Sequence, residues 1–318
     1  MRVLVTGASG LLGRGTAQAL IARGDVVTVL QRRPSGLPCD EVLGDVTSAV
    51  GAAVDGHDAV VHLAAKVDVV GRWADYQRTN VDGTRAVVAA CRAGGVSRLV
   101  HVSSPAVAHT GRPLVGVDAE PADPGHARGN YARSKALAEI EALGADGPAL
   151  AVVAIRPHLV WGPGDTQLVE RIVARAAAGR LPLIGAGAAL VDTTYLDNAV
   201  DALVAALDAP VHGEALVVTN GEPRPVGEIL SRVCWAAGVP GPTIHLPYPV
   251  ATLAGAGIER AWAALRRPGT PPMTRFLAEQ LGTAHWFDQR RTRKALSWSP
   301  RVSLDDGFAA LARSYART

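Results

Sequence analysis

The sequence predicts an α/β protein, a doubly wound parallel sheet with a smaller C-terminal subdomain interleaved with it. Three observations carry this. Short β-branched runs alternate with Ala/Leu-rich amphipathic runs across the first half, the pattern of βαβ units around a parallel sheet. The strand-like runs are almost continuously apolar, as strands are when helices cover both sheet faces. After Arg156-Pro157 the texture changes to shorter elements, punctuated by Gly162-Pro163-Gly164, by glycines from 179 to 187 and by a Pro/Gly cluster at 238–241.

The first strand is expected over residues 2–6, where Val3-Leu4-Val5-Thr6 stops at Gly7. An apolar run that short reads as a strand entering a turn and not as an export signal. A helix follows over 11–23, then strands over 26–30, 41–43 and 59–63, a long helix over 73–93, a strand over 98–103, a helix over 130–143 and a strand over 150–155. Residues 215–219 are read as a strand returning to the sheet and 191–195 as a short pairing segment, so the smaller subdomain is no separate bead. The stretch 266–272, Arg-Arg-Pro-Gly-Thr-Pro-Pro, reads as a loop leading to terminal helices.

Composition limits the function classes. With 48% hydrophobic and 19% charged residues the chain can bury a large core. A net charge of +3, spread along the chain, gives no nucleic-acid footprint. Three widely spaced cysteines, Cys39, Cys91 and Cys234, form no ligand spacing, which points to a reducing, cytoplasmic setting without structural zinc. The most membrane-like stretch, 247–265, is broken by Glu259 and Arg260 and is too short to span a bilayer.

Chemistry enters where the first strand runs into Gly7-Ala8-Ser9-Gly10-Leu11-Leu12-Gly13 and then a helix. A tight turn, close approach of backbone N–H groups to a pyrophosphate and close helix–strand packing all demand glycine there, with the helix N-terminus facing the anion. This is a Rossmann-type nucleotide cradle. A carboxylate at the end of the second strand would favour NAD, but that place reads Leu30-Gln31-Arg32-Arg33. With no acid to repel a 2′-phosphate and two guanidiniums able to pair with it, NADP(H) is the expected cofactor and NAD(H) the second choice.

Residues 130–135, Asn-Tyr-Ala-Arg-Ser-Lys, open a helix on which positions i and i+4 share a face, so Tyr131 and Lys135 point together. An ammonium beside a phenol is expected to lower its pKa and let it exchange a proton near neutral pH, while the same lysine holds the nicotinamide ribose. Ser103-Ser104, at the end of a strand upstream, offers a hydroxyl for the substrate oxygen.

Together these residues resemble the extended short-chain dehydrogenase/reductase family over nearly the whole chain. Thr6 to Gly13 is similar to its glycine motif, Gly44-Asp45-Val46 to its adenine-contact turn, His62-Leu63-Ala64-Ala65 to its fourth-strand motif and Tyr131 to Lys135 to its catalytic helix. The resemblance implies Ser104, Tyr131 and Lys135 as the catalytic group. It implies cofactor contacts from Gly7, Ser9, Gly10, Leu11, Leu12, Gly13, Arg32, Arg33, Asp45, Val46, Ala64, Ala65, Lys66 and Ser103, besides Tyr131 and Lys135. The run Arg156 to Gly164 is similar to the segment that packs against the nicotinamide, which adds Pro157, Leu159 and Val160. Asn80 matches the family's helix asparagine and is read as a structural support. No metal is implied.

Within the family the chain most resembles the 3β-hydroxysteroid dehydrogenase branch, and there the bacterial 2-alkyl-3-oxoalkanoate reductases. The runs 191–198, 271–274 and His285-Trp286-Phe287-Asp288 carry that likeness. It implies a dinucleotide-binding domain over 1–160, with return segments at 191–222, and a substrate subdomain over 161–190 and 223–318. The implied substrate is a small apolar ketone or alcohol, a β-keto acid or a steroid-like molecule, walled by Trp161, Leu190, Tyr195, Trp262, Met273, Phe276 and Trp286. Arg171, Arg175 and Arg275 offer scattered charge only. A homodimer through the helices at 80–93 and 130–143 is the family expectation. Two alternatives stand: a nucleotide-sugar epimerase or dehydratase, and a non-catalytic NADP-sensing protein, against which the intact Ser, Tyr and Lys argue. His62, His101 and His109 are read as structural; Lys66, Arg72 and Tyr76 border the expected cleft.

Overall fold

A computed structural model describes residues 1–68, 71–265, 271 and 273–316. The loop expected over 266–272 lies outside the described residues except for Pro271.

The central sheet has seven strands: β1 (Arg2–Thr6), β2 (Val26–Gln31), β3 (Asp40–Leu43), β4 (Ala59–His62), β5 (Arg98–Val102), β7 (Ala151–Pro157) and β12 (Glu214–Val218). All pair in parallel, in the order β12-β7-β5-β4-β1-β2-β3. Strand order reverses at β1, which pairs with β2 on one side and β4 on the other. A crevice opens outside the carboxyl ends of such strands, where open α/β sheets bind ligands.

Alternate residues of each strand serve opposite layers. From β1, Val3 and Val5 pack with Ala17 and Leu20 of helix α1 (Leu11–Arg23), with Leu203 and Ala206 of α7 (Leu196–Asp208), and with Leu296 of α11 (Arg290–Leu296). Leu4 packs the other way, with Val46 and Val50 of α2 (Val46–Ala53), Val87 of α4 (Gly83–Ala93) and Ala142 of α5 (Asn130–Leu143). Residues 73–93 form the expected helical run, but in three parts. A π-helical segment, Gln77–Asp82, separates α3 (Trp73–Tyr76) from α4. One wide turn there leaves Asn80 buried and free to bond sideways, a use of π turns common at functional sites.

The second half surrounds the sheet's carboxyl edge. Short strands β6 (Leu114–Val117), β10 (Leu190–Val191), β13 (Arg224–Pro225) and β15 (His285–Phe287) make a four-stranded sheet, while β8 (Val160–Trp161) pairs with β11 (Thr194–Tyr195) and β9 (Pro182–Ile184) with β14 (Ile244–Leu246). The single segment expected over 191–195 is therefore two: Val191 pairs with Arg224 and His285, and Thr194-Tyr195 crosses to β8. Asp192 and Thr193 between them are buried. Helices α6 (Val169–Ala177), α8 (Val226–Ala236) and α12 (Leu304–Tyr315) enclose a second core, and α9 (Tyr248–Ala264) packs on α10 (Arg275–Gly282). No described helix is long and apolar enough to cross a membrane.

Candidate active site

One cleft of about 730 Å³ runs from the glycine turn, past β4, β5 and β7, to α10. Its first half is a nucleotide cradle. Gly7 has φ +80°, and a Cβ there would lie 2.7 Å from the Ala64 nitrogen; at Gly13 it would lie 2.4 Å from the Gly7 oxygen. Neither position tolerates a side chain. Gly10 caps α1 without a side-chain hydrogen bond, and no acid occupies the first turn. The helix's leading N–H groups and positive dipole end thus face the cleft, the arrangement that suits a pyrophosphate.

Gly7, Gly10, Leu11, Leu12, Gly13, Ala65, Ser103, Pro157, Leu159 and Val160 all line this cleft. The Ser103 hydroxyl is buried there without a protein partner. Leu159 holds φ +43°, a left-handed backbone that a β-carbon disfavours and that persists only where the surroundings impose it. The residues present fit a nicotinamide dinucleotide. Leu63, which sequence reasoning passed over, lines the cleft beside Ala65.

Ser9 is exposed at the turn's rim, outside the cleft lining. Val46 is buried in the core beneath the sheet and Ala64 spends its N–H on the Thr6 hydroxyl at 3.1 Å. Asp45 caps α2 by accepting from the Thr47 N–H and hydroxyl, which with Arg32 and Arg78 nearby holds its carboxyl below the usual range. Arg32 and Arg33 are exposed just past β2. Arg14 joins them, its Nη1 donating to the Ser35 carbonyl at 2.7 Å. The signal for Arg14 was its place one residue beyond Gly13, in the first turns of α1. Lys66 turns its ammonium away to Asp68, at 2.6 Å, and over the Tyr76 ring.

Ser104, Tyr131 and Lys135 line the middle of the cleft. Ser104 lies two residues past β5 and caps a 3₁₀ turn, Pro105–Ala108. Burial pushes the Tyr131 phenol up, while hydrogen bonding with the Ser104 hydroxyl pulls it down. Lys135 is buried, donates to the Val102 carbonyl at 2.6 Å, and is driven by burial down to about 8, with Glu139 acting to raise it. The expected acidification of Tyr131 by Lys135 is thus replaced by a different balance. The ammonium sits one turn away with a carbonyl partner of its own, so Ser104 is the group that tempers the phenol.

Asn80 is the support expected. Its Oδ1 accepts from the Lys66 N–H at 2.6 Å, and its Nδ2 donates to the Lys66 carbonyl and, at 2.9 Å, to Ser134 Oγ. It ties the loop after β4 to the helix between Tyr131 and Lys135. His62 bridges the Thr6 and Thr84 hydroxyls and burial holds it down to about 3. His101 and His109 are buried with no ring nitrogen bonded, and burial lowers both. All three are neutral interior side chains.

The substrate half differs from the wall expected. Only Phe276 of the seven named apolar residues lines the cleft; Trp161 stacks on Phe308 and packs edge-on to Tyr195 in the second core. Met273 is buried against α9 and α10, Leu190 is exposed, and Trp286 covers Gly116. The cleft takes Leu168, Val191, Val226, Leu277 and Leu281 instead, with Arg275 present but Arg171 and Arg175 absent. Arg128 and Glu279, which sequence reasoning did not select, also line it. Among the described residues no group of His, Cys, Asp and Glu could hold a metal.

Residues 3–219 match the NAD dependent epimerase/dehydratase family. The chain is 41% identical to a 2-alkyl-3-oxoalkanoate reductase of Stenotrophomonas maltophilia, over 99% of this chain and 100% of that one. It is 31% identical to the decarboxylating sterol-4-alpha-carboxylate 3-dehydrogenase of Homo sapiens, over 99% and 88% of the two chains. Among solved structures, MoeE5 in complex with UDP-glucuronic acid and NAD superposes with a TM-score of 0.75 at 26% identity, covering 100% of this chain and 99% of that one.

Proposed function

We infer the reaction from the premise that this chain belongs to the NAD dependent epimerase/dehydratase family, in which it is an extended short-chain dehydrogenase/reductase, an oxidoreductase of CH–OH and C=O groups. The proposed activity is NADP(H)-dependent reduction of an apolar ketone, with a β-keto acid as first choice. One observation supports it above others. Ser104 and Tyr131 share their cleft with Leu168, Val191, Val226, Phe276, Leu277 and Leu281, and the two arginines that line it among the described residues, Arg128 and Arg275, both lie against the Glu279 carboxylate, which disfavours a nucleotide-sugar diphosphate there. Apolar burial then dominates affinity and a few polar groups set orientation.

Bound NADP(H) would lie along the glycine turn, with Pro157, Leu159 and Val160 at its nicotinamide end, and would supply the hydride. The chain's residues manage the oxygen and its proton. Ser104 donates a hydrogen bond to the carbonyl oxygen, and Tyr131, kept protonated by burial, gives up its proton as that oxygen becomes a hydroxyl. Lys135 would hold the cofactor's ribose with its positive charge, while the Ser104 hydroxyl, which pulls the Tyr131 phenol down, favours the transient phenolate.

NADPH consumption should follow substrate length. Lengthening an alkyl substituent should raise kcat/KM up to about fourfold per methylene, the equivalent of about 0.8 kcal/mol, until the cleft is full. Efficient turnover of UDP-sugars with none of long-chain ketones would place the epimerase alternative first. For the cofactor, NADPH should bind more tightly than NADH, and Arg32→Ala should narrow the gap by weakening NADPH alone. Equal dissociation constants in the native protein would refute that preference.

A further inference from the structure

We propose that Arg128 is the anchor for the carboxylate of a β-keto acid, the residue that makes the cleft select an acid over an uncharged ketone. The assignment rests on the ketoreductase reading above. Three cations line the cleft among its described residues: Lys135, Arg275 and Arg128. Two are engaged. Lys135 donates a hydrogen bond to the Val102 carbonyl at 2.6 Å beneath the proposed ribose site, and Arg275 is paired through its Nε with Glu279 Oε1 at 2.9 Å.

Arg128 differs from Arg275, which also bonds only through Nε, in that its Nε partner is a neutral carbonyl and not a carboxylate. Its Nε donates to the Thr110 carbonyl at 3.1 Å, which fixes the plane of the guanidinium, and no acceptor is within hydrogen-bonding distance of Nη1 or Nη2 among the described residues. Glu279 Oε2 is 3.8 Å from Nε, an ion pair without a hydrogen bond that leaves both Nη groups unused, and that oxygen is itself buried with no hydrogen-bond partner. Gly111 supplies the room, for a Cβ there would lie 2.4 Å from Nη2. The side chain keeps 36% of its exposure, so a ligand can reach it. A guanidinium anchored at Nε with both Nη groups free is a fork matched to the two oxygens of a carboxylate.

Its place suits that ligand. Arg128 stands three residues before Tyr131, on the loop that leads through Gly129 into α5, and both line the same cleft. In a β-keto acid one carbon separates the carbonyl carbon from the carboxyl carbon. A cation on the same cleft, three residues from the proton donor, is in a place to take such a carboxylate once the carbonyl oxygen lies between Ser104 and Tyr131. The alkyl substituents are left to the apolar wall. Bidentate binding at one end and burial at the other would fix which face of the carbonyl meets the cofactor.

The test compares a 2-alkyl-3-oxoalkanoate with its methyl ester, using NADPH consumption by the native protein, Arg128→Leu and Arg128→Lys, with thermal melting and NADPH binding measured alongside. The native protein should prefer the acid. Arg128→Leu should raise KM for the acid by about tenfold to a hundredfold, the scale of a lost charged hydrogen bond, while the ester's kcat/KM moves less than about threefold. Arg128→Lys, which keeps charge but not the fork, should fall between. Equal losses for acid and ester in Arg128→Leu would assign Arg128 to holding the 110–111 loop and overturn the proposal, as would an unchanged acid KM or a native protein indifferent to the ester. If the native protein reduces neither compound, the ketoreductase reading falls and takes this assignment with it. Failure in the variants alone leaves that reading standing.

Discussion

Tyr131→Phe is expected to lower ketone turnover by a hundredfold or more, the scale of removing a positioned general acid, while NADPH binding stays nearly intact. The substitution deletes one oxygen from a half-buried ring whose backbone carbonyl, not its phenol, supports Ser134. The fold should therefore survive. Steady-state kinetics with tryptophan-quenching titration of NADPH separates the two effects, and turnover within a few-fold of native would mean that water or another side chain delivers the proton. The same site sets a pH dependence. Burial raises the Tyr131 phenol, so it is protonated and ready to donate through the neutral range; reduction needs no prior proton loss. Oxidation of the alcohol needs the phenolate and should gain rate as pH rises. Lys135, down to about 8, loses its charge above that value, so kcat/KM for reduction should decline on that side. The linkage sign for stability is opposite. Between about 8 and the ordinary lysine value of 10.5 the unfolded chain binds the proton that the native one has lost, so Lys135 makes the cofactor-free protein more stable as pH rises through that window.

The parallel sheet was legible because its signals are local. A short β-branched run such as Ala59-Val60-Val61 favours an interior strand, which its burial bears out, and a glycine turn between strand and helix marks the nucleotide end whatever follows. Helices α1 and α5 have the bounds expected for the same reason. The π segment at Gln77–Asp82 left no trace, since one widened turn does not disturb a helical period. The substrate wall was misread on a more general ground. Trp161 and Tyr195 announce burial, and burial is what they have; sequence does not say whether an aromatic ring meets a ligand or Phe308. Arg128 had the converse problem. A lone arginine in a loop looks like a solvated charge, and only the folded chain shows Lys135 bonded to Val102, Arg275 bonded to the Glu279 carboxylate, and Arg128 held through Nε by a neutral carbonyl.

Arg156→Met is expected to destabilise the protein by about 3–5 kcal/mol, because it strands a buried carboxylate. Arg156 and Glu139 are 2% and 1% exposed. Arg156 Nε donates to Glu139 Oε2 at 2.8 Å, Nη2 donates to Oε1, and Nη1 donates to the Glu120 carbonyl at 2.7 Å. Arg156 immediately precedes Pro157 on β7, and Glu139 lies one turn beyond Lys135 on α5, so this pair fastens the helix that carries Tyr131 and Lys135 to the strand that ends at Pro157. Removing the guanidinium leaves Glu139 charged in a low-dielectric interior, whereas Arg156→Met combined with Glu139→Leu replaces both charges by apolar groups and should recover most of the loss. Melting should show a fall of roughly 4–8 °C for the single variant and a smaller one for the double. The double variant also removes the carboxylate that raises Lys135, so the alkaline limb of its reduction profile should move to lower pH. A single variant melting within a degree of native, or a double variant less stable than the single, would show that the pair is not what joins α5 to β7.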